Sequence, residues 1–229
     1  MLRTALFIVL VLGSVGVAGY AAVAYALLPV GSTVHPQMQA VYEQHRVAIL
    51  AHIAGSMAAL LIGPAQFISG LRARQPRVHR VLGRLYLLGV LVGGVAGLRM
   101  AMLAFGGIVA HTGFALLAAL WLWTGARALL AARAGRIAEH RRWMIRNFAL
   151  TFAAVTLRAQ LGLFAALGFA FESYYPVLAW ISWVPNLMVA QWLVRPPRRC
   201  AATPAGLMPT PASPAAASPS LLSSPSLER

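Results

Sequence analysis

Four histidines lie near the ends of long apolar segments, where an imidazole could bind a metal ion or a haem iron. They are His52, His79, His111 and His140. A b-type haem needs two imidazoles on facing helices at one depth, one on each side of the iron. By depth, His52 and His111 form an outer pair, and His79 and His140 form an inner pair. This arrangement predicts two sites for haem b and electron transfer across a membrane.

Glycines and arginines near the histidines fit the same hypothesis. A glycine lies close to each histidine in the sequence and lacks the side chain that would collide with a porphyrin. These glycines are Gly55, Gly83, Gly113 and Gly135. Haem propionates need cations, and arginines surround the inner pair. For the outer pair, the cations available to a propionate are Arg46, Arg99 and Arg158.

Arg99 and Arg158 also support a different prediction, because each lies well inside an apolar segment. A central arginine costs about 2.5–3.5 kcal/mol on insertion scales, so each should face the bundle interior or a wet cavity. Glu43 and Glu172 are the acids on that side, and an anionic ligand is the other available partner. This alternative predicts an anion or lipid transporter or binding protein. The alternative without a ligand is that both arginine side chains extend along the helix to reach the lipid headgroups.

Structural roles are open for the histidines too. An imidazole at the interface can meet lipid phosphate and water, and a deeper one can hydrogen-bond to a neighbouring helix. Zinc is less favoured, because no cluster of carboxylates lies nearby. The sequence contains no G-x-S-x-G, H-E-x-x-H or P-loop pattern, which disfavours hydrolysis and phosphoryl transfer. No catalytic residue is predicted, and any enzymatic role would be redox.

The composition places these residues in a membrane protein. Of 229 residues, 60% are hydrophobic and 10% are charged, whereas a soluble domain has about 25% charged residues. Six apolar segments are each long enough to cross a ~30 Å hydrocarbon core. They cover approximately residues 5–30, 44–69, 78–104, 108–130, 142–168 and 177–194. The predicted fold class is all-α, an integral membrane bundle of six transmembrane helices.

The distribution of charge predicts the orientation. The net charge is +15, and the basic residues, all arginines, concentrate at 72–84, 127–146 and 195–199. With six spans, these segments fall on one side, which the positive-inside rule assigns to the cytoplasm. Both termini are then cytoplasmic, and the basic face contacts anionic lipid headgroups. Nucleic acid is not a predicted partner, because the charge lies in short loops between apolar segments.

The chain divides into three parts by composition. Residues 1–43 hold the first transmembrane helix and an outer loop. The apolar run there is about 25 residues, longer than the roughly 7–15 of a signal peptide, so this helix is predicted to be retained. Residues 44–195 form a five-helix membrane domain, in which Pro64 kinks the second span or begins its last turn and Pro185 interrupts the sixth span. Residues 196–229, rich in Pro, Ala and Ser, are predicted to be a disordered cytoplasmic tail.

Several runs resemble a family of predicted bacterial membrane proteins, domain-of-unknown-function family 2306 (DUF2306). They are AHIAG (51–55), LIGPAQF (61–67), HRVLGRLY (79–86), GVAG (94–97), GF (113–114), HRRWMIR (140–146), ALTFAAVTLR (149–158) and WVPN (183–186). The resemblance covers about residues 45–192, which excludes the first span and the tail. It implies a multi-pass protein of the bacterial inner membrane and supplies no activity.

Two further interpretations concern partners. The positions of the two histidine pairs on six helices resemble those in the cytochrome b561 class, and this weaker resemblance implies a redox partner. Alternatively, the protein is a non-catalytic membrane subunit. Its arginine-rich loops would then bind a cytoplasmic or membrane-protein partner or anionic lipid. A visible absorption spectrum of the purified protein separates the haem hypothesis from the others.

Overall fold

The computed structural model describes residues 2–195, and the regular secondary structure in this range is helical. The helices are α1 (Leu2–Ala22), α2 (Pro36–Gln44), α3 (Arg46–Ile62), α4 (Ser69–Arg74), α5 (Pro76–Ala101), α6 (Gly107–Arg133), α7 (Ile137–Thr151), α8 (Ala153–Ala166), α9 (Phe171–Ile181) and α10 (Val184–Leu193). A π-helical turn at Val23–Leu27 continues α1, and a 3-10 turn at Pro64–Phe67 follows α3. Pro64 thus begins a new turn, as predicted. The predicted tail at 196–229 lies outside the described residues.

Five helical segments of the described chain are long and apolar enough to cross a membrane, in agreement with the predicted all-α membrane fold. They cover Thr4–Leu27, Arg46–Phe67, Pro76–Ala101, Gly107–Arg133 and Ile137–Ala166. The predicted sixth span at 177–194 consists of two shorter helices, α9 and α10, which meet at Ser182 and Trp183. The number of six spans and the placement of the termini therefore stay predictions.

The segment predicted as a loop at 31–43 contains a helix, which corrects that prediction. α2 begins at Pro36, whose fixed φ suits the first position of a helix. His35 precedes it with φ −57° and ψ 140°, because the residue before a proline avoids the helical region. Gly31 turns the chain with φ +93°, a conformation that favours glycine. Proline and glycine here mark where the helix starts instead of excluding it.

The helices α3 and α5 pack against each other backbone to backbone. A Cβ atom added to Gly55 would lie 2.5 Å from the backbone nitrogen of Gly93 and 2.7 Å from the carbonyl oxygen of Gly89. Real Cβ atoms essentially never come this close to another backbone, so only glycine fits. Gly89 and Gly93 therefore allow α3 to pack directly on the backbone of α5.

The helices α5, α6 and α7 meet around a core with a polar centre. Tyr86 Oη donates a hydrogen bond to Asn147 Oδ1 at 2.6 Å. Asn147 Nδ2 donates to the carbonyl oxygen of Trp121 at 2.7 Å and to Thr124 Oγ1 at 2.8 Å. Trp121 Nε1 donates to Thr151 Oγ1 at 2.8 Å. We call these five residues the polar centre; its bonds join three helices where the surroundings are apolar.

The two ends of the bundle differ in charge. The connections at one end cover 68–75 and 134–136, and those at the opposite end cover 28–35, 102–106 and 167–170. We call the first the basic end, because it carries most of the arginines. There Glu139 accepts hydrogen bonds from Arg136 at 2.7 Å and from Arg127 at 3.3 Å. The opposite end is called the cavity end, since the candidate site lies toward it.

Candidate functional site

A cavity of about 320 Å³ lies inside the bundle toward the cavity end. Residues of α1, α2, α3, α5, α6, α7, α8 and α9 line it, with parts of the connections between them. Along α3 the lining residues run from Ile49 to Leu60, a distance of about 16 Å at the rise of an α-helix. The cavity is therefore elongated, and its volume falls in the range of small-molecule sites.

Arg158 supplies the cationic group of the cavity. Its Nη1 donates a hydrogen bond to the carbonyl oxygen of Ala154 at 3.0 Å, and its guanidinium carbon lies 5.9 Å from the centre of the Tyr20 ring. No described carboxylate lies within 4 Å of Arg158. Glu43 and Glu172, the predicted partners, are exposed and form no ion pair with the described residues. The remaining N–H groups of the guanidinium can therefore donate to a ligand.

His52 brings a second polar group to the cavity from α3. Its Nδ1 donates to the carbonyl oxygen of Gly93 at 2.8 Å, because a carbonyl oxygen only accepts. In the neutral ring, Nε2 then carries the lone pair and is free to accept a hydrogen bond. The ring lies against α5, where a Cβ atom on Gly97 would come within 3.0 Å of Nδ1. A donor on a ligand is the natural partner of Nε2.

Hydroxyl groups add hydrogen-bond donors at the same site. Tyr25, Tyr42, Tyr175 and Ser182 line the cavity, and Ser182 Oγ is buried with no partner in the described chain. Desolvation raises the pKa of the Tyr42 phenol well above its ordinary value, and the neighbouring phenols of Tyr175 and Tyr25 raise it further. The positive charge of Arg158 acts in the opposite direction and less strongly. Tyr42 therefore stays neutral and can donate a hydrogen bond at physiological pH.

Sequence reasoning did not identify these hydroxyl groups as site residues. The tyrosines come from three separate elements, the π-helical turn, α2 and α9, so no spacing in the sequence connects them. The turn that carries Tyr25 is the one structural signal, because π-helical turns often occur at functional sites. Residue types alone do not reveal such a turn.

The end of the cavity far from Tyr42 is mostly apolar. Leu60 and Leu150 line it there, together with Trp121 and Thr151. Trp121 and Thr151 belong to the polar centre, and the bond between them uses the indole N–H. The polar centre thus forms part of the cavity wall at the deep end, while Arg158 and Tyr42 lie toward the surface.

The cavity does not bring the outer histidine pair together. His111 is not among the lining residues, and its Nε2 donates to the carbonyl oxygen of Ala104 at 2.9 Å. Of the four histidines predicted as haem ligands, His52 alone faces the cavity. The role of each histidine as a haem ligand stays a prediction.

The inner histidines lie at the basic end. His140 Nδ1 donates to the carbonyl oxygen of Ala128 at 2.9 Å, and His79 Nδ1 is buried without a partner among the described residues. Within residues 2–195, no group of three or more His, Cys, Asp or Glu side chains is arranged to hold a metal ion.

Three of the four glycines predicted to leave room for porphyrins, Gly55, Gly83 and Gly113, lie against other parts of the protein, whereas a Cβ atom on Gly135 would meet nothing within 4 Å. A Cβ atom on Gly55 would meet α5, and one on Gly113 would lie 2.8 Å from the carbonyl oxygen of Ala179. A Cβ atom on Gly83 would lie 3.3 Å from Gln66 Oε1. Gly135 has φ +70° and ends α6 in the left-handed conformation. Helix packing and chain reversal account for these glycines.

Arg46 and Arg99 lie on a different surface from Arg158. Both are exposed and line an open groove between α3 and α5, which includes His45, Val92 and Val95. They are not among the residues that line the cavity. Of the three arginines predicted to pair with a ligand, Arg158 is therefore the one at the internal site.

The apolar helices and the packed helical bundle define a multi-pass membrane protein. Its sequence matches the family DUF2306, described as a predicted membrane protein, over residues 49–194. The chain belongs to this family, which confirms the prediction from its sequence runs. No curated protein and no solved structure matches the chain, and the resemblance to the cytochrome b561 class receives no support.

Proposed function

We propose that the protein binds a small amphipathic anion in the internal cavity, as a binding protein or carrier within the membrane. The observation that carries the proposal is Arg158, a cavity-lining cation with no described carboxylate within 4 Å. A guanidinium inside a bilayer costs several kcal/mol without a partner, and an anionic ligand group would offset that cost. Carboxylate is the simplest group that accepts two guanidinium N–H bonds side by side.

The two ends of the cavity suit the two ends of such a molecule. Arg158, Tyr42 and Tyr25 would donate hydrogen bonds to the anionic group toward the surface. An apolar tail would extend along α3 past Ile53 and toward Leu60. The length of about 16 Å along α3 fits a medium-chain fatty carboxylate better than a compact inorganic anion.

Decanoate should raise the unfolding temperature of the detergent-purified protein more than decanol does at equal concentration. Both molecules have the same tail, so the difference reports the anionic group. A ligand that binds only the folded state stabilises it by RT ln(1 + [L]/Kd). Replacing Arg158→Gln should remove the advantage of decanoate and weaken its binding by about 10–100-fold. Thermal unfolding followed by intrinsic fluorescence measures both effects.

The matched control is Arg84→Gln, which removes an exposed arginine that does not line the cavity. This variant should keep the full difference between decanoate and decanol. Equal stabilisation of wild type by the two molecules would show that the cavity does not select for charge. If neither molecule stabilises the wild type, the proposal is wrong.

A second candidate function is electron transfer through a b-type haem bound by His52. The favouring observation is the bond from Nδ1 to Gly93, since haem and metal ligands of this type often donate their other N–H to a backbone carbonyl. Against it, His111 does not line the cavity and its Nε2 is already bonded. A Soret band in protein from haem-replete cells, lost in His52→Ala, would favour haem over a fatty anion.

The orientation with six spans, both termini in the cytoplasm and the protein in a bacterial inner membrane is part of the proposal. Cys200 is the one cysteine of the sequence and lies after the last predicted span. A membrane-impermeant maleimide should label it only after the cells are permeabilised. Ser32→Cys in a Cys200→Ala background should be labelled in intact cells, because the exposed Ser32 lies at the cavity end. Labelling of Cys200 in intact cells would show that the protein has the opposite orientation.

A further inference from the structure

An open groove runs between α3 and α5 on the surface that faces away from the cavity. At the cavity end, Arg46 and Arg99 line it beside His45. Farther along, its walls are apolar, formed by Val47, Ala48, Ala51, Leu91, Val92, Val95 and Ala96. The groove and the cavity share no lining residue, so they are opposite faces of one helix pair.

The cationic and apolar residues of the groove lie at the depths of the headgroup and the acyl chains of a phospholipid. Arg46 is the first residue of α3, and Arg99 is two residues from the end of α5, so both lie at the level where these helices leave the membrane. Leu91 lies eight residues before Arg99, or about 12 Å deeper at the helical rise. Cations at headgroup level therefore stand above apolar walls at acyl-chain level.

No carboxylate of residues 2–195 forms an ion pair with the arginines of the groove. Neither Arg46 nor Arg99 has a described carboxylate within 4 Å, and no acidic residue lines the groove. The apolar residue next to Arg46, Val47, is 84% exposed, which suits contact with lipid and not with water.

We propose that this groove binds one anionic phospholipid from the leaflet at the cavity end. Arg46 and Arg99 donate hydrogen bonds to its phosphate, because guanidinium groups pair well with phosphate oxygens. One acyl chain lies along Val92 and Val95. The site is independent of the internal cavity and of the anion proposed there. A zwitterionic lipid has the same phosphate but no net charge, so net charge distinguishes the two.

The test uses phosphatidylglycerol with a diazirine on one acyl chain, in nanodiscs whose other lipid is phosphatidylcholine. After irradiation, mass spectrometry should place adducts on residues 47–51 and 91–96. Phosphatidylcholine with the same diazirine chain should give at least about tenfold fewer adducts there, because each of the two arginines strengthens binding to an anionic lipid. The double variant Arg46→Gln, Arg99→Gln should reduce the phosphatidylglycerol adducts by a similar factor.

Arg84→Gln is the control, since Arg84 is an exposed arginine on the same helix and lies toward the basic end. It should leave the adducts in the groove unchanged. Equal adducts from both lipids in the wild type would overturn the proposal without any variant. Adducts that persist in the double variant, or that lie only outside the groove, would also overturn it.

Discussion

Replacing Gly55→Ala should destabilise the bundle by about 3 kcal/mol, the upper part of the usual range for overpacking a core. The new Cβ atom would lie 2.5 Å from the backbone nitrogen of Gly93, 2.7 Å from the carbonyl oxygen of Gly89 and 2.9 Å from Gly93 Cα. These atoms belong to a backbone, so no side chain can rotate to make room. The helices α3 and α5 would have to separate. Thermal or denaturant unfolding in one detergent measures the loss.

The matched control is Gly162→Ala on α8, where an added Cβ atom meets nothing within 4 Å. Alanine should be neutral there or stabilise the helix by about 0.5–1 kcal/mol, because glycine loses more conformational entropy on folding. A Gly55→Ala variant as stable as Gly162→Ala would contradict the close packing of α3 on α5. Because Gly93 also accepts the hydrogen bond from His52, separation of the helices should disturb the cavity as well.

The transmembrane segments were predictable from the sequence. Lipid offers no hydrogen bonds, so a long apolar run must satisfy its backbone within a helix. The predicted second span at 44–69 and third span at 78–104 correspond to Arg46–Phe67 and Pro76–Ala101 in the structure. The family was predictable too, since its runs lie within these segments. Each apolar segment must be helical for local reasons that depend little on distant residues. This part of the fold could therefore be predicted from the sequence.

The helix α2 was not predictable in the same way, and the break in the sixth span was predictable only approximately. α2 has nine residues, too few to be stable without tertiary contacts, and none of them is fully buried. Its place over the cavity depends on residues far away in the sequence. The sixth predicted span contains Pro185, yet the chain divides two or three residues earlier, at Ser182 and Trp183. Proline at the second position of α10 permits a new helix there.

The candidate site was predictable only in part. Arg99 and Arg158 carry the same signal in the sequence, an arginine within an apolar segment. In the structure, Arg158 lines the cavity and Arg99 is exposed at its helix end. The side that a residue faces depends on how its helix rotates against neighbours, which sequence spacing leaves open. The glycines were equally ambiguous, because the absence of a side chain serves a flat cofactor and a packed helix alike.

Replacing Asn147→Ala should cost about 2–4 kcal/mol of stability. The side chain is 0% exposed and makes three hydrogen bonds, accepting from Tyr86 and donating to Trp121 and Thr124. Hydrogen bonds between membrane helices contribute about 0.6 kcal/mol each on average, so three account for about 2 kcal/mol. The void left by the side chain adds the rest. Thermal or denaturant unfolding, in the same detergent as for Gly55→Ala, measures this loss of stability.

Asn186→Ala is the control of the same residue type. Asn186 is partly exposed, and its Nδ2 reaches three acceptors at 3.1–3.3 Å, one of them a carbonyl of its own turn. Its loss should cost less than about 1 kcal/mol. Equal losses in Asn147→Ala and Asn186→Ala would mean that the polar centre adds no special stability.

A double-mutant cycle separates the bond between Tyr86 and Asn147 from the packing around it. Tyr86→Phe leaves Asn147 Oδ1 buried without a donor and should cost about 1–3 kcal/mol. The double variant Tyr86→Phe, Asn147→Ala should lose less stability than the sum of the two single losses, because the shared hydrogen bond is lost only once. The same variants should weaken decanoate binding, since Trp121 and Thr151 line the cavity and are held in place by this network. Additive losses with unchanged binding would show that the network and the cavity are independent.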